Sequence, residues 1–205
     1  MNLNNIMNTT RALNGLFQKV PIWVVCLILV SPAVYLTYAL FNNQLGPDPI
    51  RTYERSIGKL GFKLILFILL ITPLKDLVNI NLIKFRRVFG VIAFIYICLH
   101  FLSYLVLDLG LNTNELWKDI LKRPYITFGM VSAVMMLFLT ITSNNLSIRK
   151  LGLRNWKHLH KLVYVIAIGA SLHYLLLTKT WQIEPIIYSV LVMVLLFYRI
   201  ISFRS

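Results

Sequence analysis

The stretch that decides the fold is Arg86–Gly110, RRVFGVIAFIYICLHFLSYLVLDLG. From Val88 to Leu107 it holds no Asp, Glu, Lys or Arg and one histidine, His100. Its 20 residues rise about 30 Å as a helix, the thickness of a bilayer's hydrocarbon core. Two arginines close one end and Asp108 the other. An ionisable side chain inside such a run is costly, so His100 is a functional candidate from the outset.

Five further apolar stretches lie near residues 20–41, 61–79, 125–143, 162–177 and 185–201. The fifth span in chain order, 162–177, is short unless Trp156–Lys161 begin it. With 58% hydrophobic and 14% charged residues and a mean hydropathy of +0.73, the chain is far too apolar for a soluble domain of 205 residues. The reading is an all-α membrane protein, a bundle of about six transmembrane helices forming a single domain over 1–205. Residues 1–20 form a polar N-terminal lead-in, amphipathic or irregular. The run from Pro21 is long and has no small-residue cleavage site, so the first span is expected to remain in the mature protein.

The net charge of +14 does not indicate nucleic acid, because the basic residues are scattered among short connections and form no basic face. Topology accounts for them. Arg11, Lys19, Lys75, Lys84, Arg86, Arg87, Arg149, Lys150, Arg154, Lys157, Lys161, Arg199 and Arg204 fall on one side, 13 of the 21 basic residues. Six of the seven acids fall on the other: Asp48, Glu54, Asp108, Glu115, Asp119 and Glu184. The positive-inside rule then puts both termini in the cytoplasm.

The connections carry their own signals. LGPDP (Leu45–Pro49) specifies a fixed turn, and Ile71–Pro73 is expected to end the second span. Trp23, Trp117, Trp156 and Trp181 fall near span ends as an aromatic belt. The segment around 109–124 and the basic segment 144–155 read as loops. Cys26 and Cys98 lie within apolar spans in no redox or metal spacing and read as packing residues. No GxGxxG segment is present, so no nicotinamide-binding domain is expected on this chain.

His173 joins His100 as a second histidine inside a span. His100 lies 12 residues beyond Val88 and His173 lies 11 beyond Leu162. The third and fifth spans run in the same direction, so both histidines reach similar depth in the outer half of the membrane. A bis-imidazole pair between apolar helices suits heme iron. Toward the inner end, Arg86 lies 14 residues before His100, and His160 lies 13 before His173. Either step is about 20 Å of rise. At ~100° per residue, 14 residues return within about 40° of one face, 13 miss by about 140°, and the 15 from His158 miss by about 60°. Helix periodicity leaves His158 and His160 open as the inner ligand. Arg86 is a poor iron ligand because its guanidinium stays protonated, and it reads as a positive-inside anchor or a partner for a heme propionate. Gly90 and Gly169 are small residues that permit close approach of a ring or of a neighbouring helix.

The order and spacing of these segments resemble the MsrQ (YedZ) family, the heme-binding membrane subunit of the bacterial protein-methionine-sulfoxide reductase system, within the wider ferric-reductase-like transmembrane group. The resemblance covers nearly the whole chain. It rests on LGPDP at 45–49 with Gly58 following, LLITP at 69–73, two arginines and a glycine within 86–90, LHFLSYLVLDLG at 99–110, RPYITFG at 123–129, WKHLHKLVY at 156–164 and His173-Tyr174. It implies that His100, His160 and His173 are heme-linked, favouring His160 over His158, and that Arg86 stands where larger reductases carry a further histidine. The heme count is thereby left between one and two. It further implies b-type heme, FMN at a site these residues do not locate, and location in the bacterial inner membrane. The implied role is passage of electrons from the quinol pool or a flavin donor to a periplasmic molybdopterin subunit that reduces protein methionine sulfoxide. The chain would be an electron-transfer subunit and not the catalytic one. The alternative on the same scaffold is a self-sufficient ferric or cupric reductase, for which an acidic outer mouth is expected and loop 109–124 offers only Glu115 and Asp119. A heme-free proton-coupled transporter would need acids at mid-membrane, and Asp76 and Asp108 fall at span edges.

Overall fold

The computed structural model describes residues 3–177 and 182–202, with side chains from Thr10 onward. Its elements are α1 (Leu3–Lys19), α2 (Ile22–Phe41), α3 (Pro49–Val78), α4 (Arg86–Ser103), α5 (Thr113–Lys122), α6 (Pro124–Ile141), α7 (Asn145–Leu151), α8 (Leu153–His160), α9 (Leu162–Leu177) and α10 (Ile183–Ser202). No β-strand occurs among the described residues. Six stretches are long and apolar enough to cross a membrane: Ile22–Phe41, Pro49–Val78, Ile83–Asp108, Pro124–Ile141, Leu153–Leu177 and Ile183–Ser202. The expected all-α bundle with six spans is what the chain forms.

Apolar side chains inside a bilayer gain little by leaving lipid for protein, so close packing must hold the helices together. Small residues supply it. A Cβ on Gly61 of α3 would come within 3.2 Å of Tyr96 and 3.0 Å of Ile97 on α4, so the two helices meet directly there. Gly169 of α9 likewise lies against Ser132 and the Phe128 carbonyl of α6, a helix contact, whereas Gly90 meets only Ile68 at 4.0 Å. Ala93 and Ala167 are wholly buried. The main core gathers Phe62, Leu66, Ala93, Met136, Ile166 and Val192 from α3, α4, α6, α9 and α10. A second cluster seats α2 on α3 and α4 through Ala33, Tyr53, Ile57, Ile92 and Tyr96. The outward faces stay apolar, with Leu27, Val34, Met193 and Phe197 each more than half exposed, as lipid contact requires.

Three expectations change. The second span does not stop at Ile71–Pro73: α3 runs 30 residues, through a buried Pro73, to a left-handed cap at Asn79 (φ 61°). Proline removes one N–H from the ladder, and within a packed membrane bundle such a break is tolerated. Pro49 instead begins α3, where its missing N–H costs nothing, while Asp48 accepts from the Arg51 N–H at 3.2 Å. The segment around 109–124 is largely the amphipathic helix α5, and 144–155 is largely helical, in α7 and the start of α8. The N-terminal lead-in, expected as amphipathic or irregular, takes the helical form over Leu3–Lys19 and is tied to the bundle by Asn14, which bonds both the Asn79 carbonyl and the Asn81 N–H.

Candidate functional site

His100 sits near the end of α4 and His173 near the end of α9, each facing the first turns of an antiparallel neighbour. For His100 the neighbour is α3: its Nδ1–H donates to the Glu54 carbonyl at 3.0 Å. For His173 it is α6: its Nδ1–H donates to the Tyr125 carbonyl at 2.7 Å. A carbonyl can only accept, so both imidazoles are fixed with the proton on Nδ1 and the lone pair on Nε2. Glycine makes each approach possible. A Cβ on Gly58 would lie 3.0 Å from the His100 Nδ1, and one on Gly129 would lie 2.8 Å from the His173 Nδ1. Gly58 follows Glu54 by four residues, and Gly129 follows Tyr125 by four. The same device therefore occurs twice: a carbonyl, a glycine notch one turn later, and a histidine seated between them.

The two rings lie 6.1 Å apart, centre to centre, with their planes at 77°. Two metal–imidazole bonds of about 2 Å, each followed by roughly 1 Å from Nε2 to the ring centre, place such centres about 6 Å apart. The pair thus has the spacing and the tautomer of two axial ligands on one metal. Among the described residues no group of three or more His, Cys, Asp or Glu side chains could hold a bare metal ion. Heme iron needs only two protein ligands, so the residues present fit that group.

The ends of the helices that carry the histidine pair are braced by polar contacts. After Ser103, α4 widens into a π-helical turn over Tyr104–Asp108, a form frequent at functional sites. Tyr104 donates its hydroxyl proton to Asp119 of α5. Asp119 also pairs with Arg123 at 3.1 Å, and Arg123 reaches the Tyr125 hydroxyl at 3.4 Å. Pro124 opens α6, so the RPY segment fixes the turn whose carbonyl holds His173.

The structure does not bring His160 to this pair. It ends α8, and the helix is interrupted at Lys161 before α9 begins. Its Nδ1–H donates to the Trp156 carbonyl at 3.1 Å, its ring stacks on Trp156 at 4.0 Å, and its Nε2 lies 3.3 Å from the Ser143 hydroxyl. That hydroxyl already donates to the Leu139 carbonyl at 2.7 Å, leaving the His160 lone pair without a committed proton donor. His158 is exposed. Trp156, read as a belt residue, turns inward and donates to the Thr142 carbonyl at 2.9 Å. Trp181 lies outside the described residues. Arg86 donates from Nη2 to the Thr72 hydroxyl at 2.7 Å. Cys26 and Cys98 are both free thiols.

The roles of Gly58 and Gly129 were missed by sequence reasoning, although both stand inside quoted motifs. Their signal is a glycine four residues after the first turn of a span that neighbours a histidine-bearing one.

Residues 57–171 match the family described as ferric reductase like transmembrane component. Curated proteins from Brucella ovis, Brucella canis and Brucella melitensis, each named protein-methionine-sulfoxide reductase heme-binding subunit MsrQ, are 43% identical over 179 residues, covering 87% of this chain and 81% of theirs. On that similarity, and with the six-span architecture just described, the chain belongs to the MsrQ family of ferric-reductase-like transmembrane proteins.

Proposed function

We propose that this chain is the heme-binding membrane subunit of a protein-methionine-sulfoxide reductase system in the bacterial inner membrane, with both termini cytoplasmic. The observation that carries the reading is the His100–His173 pair, 6.1 Å apart with both Nδ1 protons held by backbone carbonyls. A b-type heme bound there would supply a one-electron carrier in the outer half of the bilayer. His100 and His173 offer Nε2 to its iron, Glu54 and Tyr125 orient the rings, and Gly58 and Gly129 leave them room. His160 and Arg86 serve the inner end, His160 as the ligand of a second heme if there are two. Electrons would come from the quinol pool or a flavin donor, with FMN as a further cofactor, and leave to a periplasmic molybdopterin subunit that meets the methionine sulfoxide.

The ferric or cupric reductase alternative is less well supported. Glu115 is paired with Lys118 at 2.7 Å, and Asp119 is engaged by Tyr104 and Arg123. The two acids of that segment are committed to intramolecular partners instead of forming a metal-binding mouth.

The purified chain should show a b-type reduced-minus-oxidised difference spectrum. It should not reduce methionine sulfoxide alone, and should support that reaction only with a periplasmic partner and a reduced quinol or flavin donor. Absence of heme, or unaided turnover, contradicts the proposal.

A further inference from the structure

Between the end of α6 and the start of α9, at the end of the bundle opposite the histidine pair, α7 and α8 form a corner that turns at Gly152 (φ 75°). Three bonds hold it. Arg87 of α4 donates to the Asn145 side chain at 3.0 Å, Asn144 caps α7 by accepting from the Ser147 N–H at 2.8 Å, and Trp156 of α8 donates to the Thr142 carbonyl at 2.9 Å. The apolar stretch Leu153–Leu177 has 25 residues, about 37 Å of helix rise against a hydrocarbon core of ~30 Å. Thr142 directly follows α6, so its bond to Trp156 makes the first turn of α8 the part that projects, and the corner stands at headgroup depth. Arg149, Lys150, Arg154 and Lys157 are all exposed on it, and among the described residues none of the four makes an ion pair or a side-chain hydrogen bond. No Asp or Glu occurs from Ile120 to Ile183. Leucines share the surface: Leu146 is 68% exposed and Leu153 is 55% exposed. Leu146 stands four residues before Lys150 in α7 and Leu153 four before Lys157 in α8, so each leucine neighbours an ammonium on one helix face. Water alone would satisfy the cations, but it offers the leucines nothing.

We propose that α7 and α8 form a binding surface for anionic phospholipid, with Leu146 and Leu153 in the acyl layer and Arg149, Lys150, Arg154 and Lys157 on the phosphates of the same leaflet. A lysine stem lies along apolar surface while its ammonium stays at the polar level, which is the arrangement that a leucine one turn away requires. Each cation close to an anionic leaflet adds an attraction that lipid without net charge does not supply. A soluble acidic protein would be drawn by the same charges, but the exposed leucines and the depth of the corner favour lipid. The surface rests on the six-span architecture and is independent of whether the histidines bind heme. His160 ends α8, so lipid held on Arg154 and Lys157 would also steady the helix that presents it.

The test titrates the delipidated full-length protein in detergent with phosphatidylglycerol or with phosphatidylcholine of the same acyl chains. Melting temperature and the lipid retained in native mass spectrometry are the readouts. In wild type, phosphatidylglycerol should raise the melting temperature more than phosphatidylcholine does, and the excess should shrink as salt is raised. The fourfold variant Arg149→Gln, Lys150→Gln, Arg154→Gln, Lys157→Gln should retain about tenfold less phosphatidylglycerol. Leu146→Ser with Leu153→Ser, which leaves the charge unaltered, should lower the retention of both lipids. The proposal is overturned by equal stabilisation of wild type by the two lipids, or by unchanged retention in either variant. It is also overturned if soluble polyglutamate stabilises wild type as much as phosphatidylglycerol does, a result that would assign the surface to an acidic protein.

Discussion

The two ends of the bundle hold histidines in different ways. Where the histidine pair sits, α3 and α4 on one side and α6 and α9 on the other repeat one device, so that the His100 and His173 rings meet 6.1 Å apart, each with its proton on Nδ1. At the opposite end His160 has the same Nδ1–H to carbonyl bond, but within its own helix, and it faces a serine and a tryptophan. Its helix is also interrupted at Lys161. A ring anchored to a neighbouring helix is fixed by the packing of two spans, whereas one anchored to its own helix follows that helix wherever it moves. The two rings of the pair are thus held by interhelical packing, and the His160 Nδ1 by its own helix.

The strongest way to break this comparison is to remove one ligand from each end. His100→Ala or His173→Ala should abolish the outer heme's reduced-minus-oxidised bands, while His160→Ala should leave them largely in place. If His160→Ala removes them too, the two ends are not independent.

Filling the glycine notches sharpens it. Gly129→Ala would bring a methyl to 2.8 Å and Gly58→Ala to 3.0 Å of a histidine Nδ1, and the backbone carbonyls leave the rings little freedom to retreat. Overpacking of this kind costs about 1–3 kcal/mol, so heme affinity should fall roughly tenfold, more for Gly129→Ala than for Gly58→Ala. Heme titration of the apoprotein measures both. Unchanged affinity in the two variants would mean that the notches do not position the rings.

A smaller effect separates His160 from His158. His160→Ala should alter any inner-heme bands or slow electron entry from a reduced donor, and His158→Ala, at an exposed position, should change neither. Stopped-flow reduction of the two variants decides this. The least effect is expected from Asp119→Asn, which weakens the tie of Tyr104 and Arg123 to α5 outside the rings' own contacts. It should lower thermal stability by about 1 kcal/mol with the heme spectrum retained. A lost spectrum would make Asp119 part of the ligand site.

What sequence reasoning could reach followed from counting along single helices. The depth match of His100 and His173 needs only 1.5 Å per residue and the alternation of spans, and the residues indeed meet. The 140° miss of His160 was likewise legible, and His160 indeed faces Trp156 and Ser143 and does not join the pair. The rest depends on which faces of distant spans touch. Glu54 and His100 are 46 residues apart and Tyr125 and His173 are 48 apart, so neither bond is visible to local periodicity. Gly90 and Gly169 were singled out because they share helices with the histidines, yet the crossing of α3 on α4 and α6 on α9 selects Gly58 and Gly129 from the facing helices. Pro73 misled for a related reason, since proline ends helices where water can take the freed carbonyl but not necessarily inside a packed bundle.

The central claim is that His100 and His173 serve one iron, and heme per protein in wild type, His100→Ala, His173→Ala and the double variant tests it most directly. Ligands of a single iron are not additive, so each single variant should lose as much outer heme as the double. Single variants that each lose half of what the double loses, or that both retain it in full, would contradict the account.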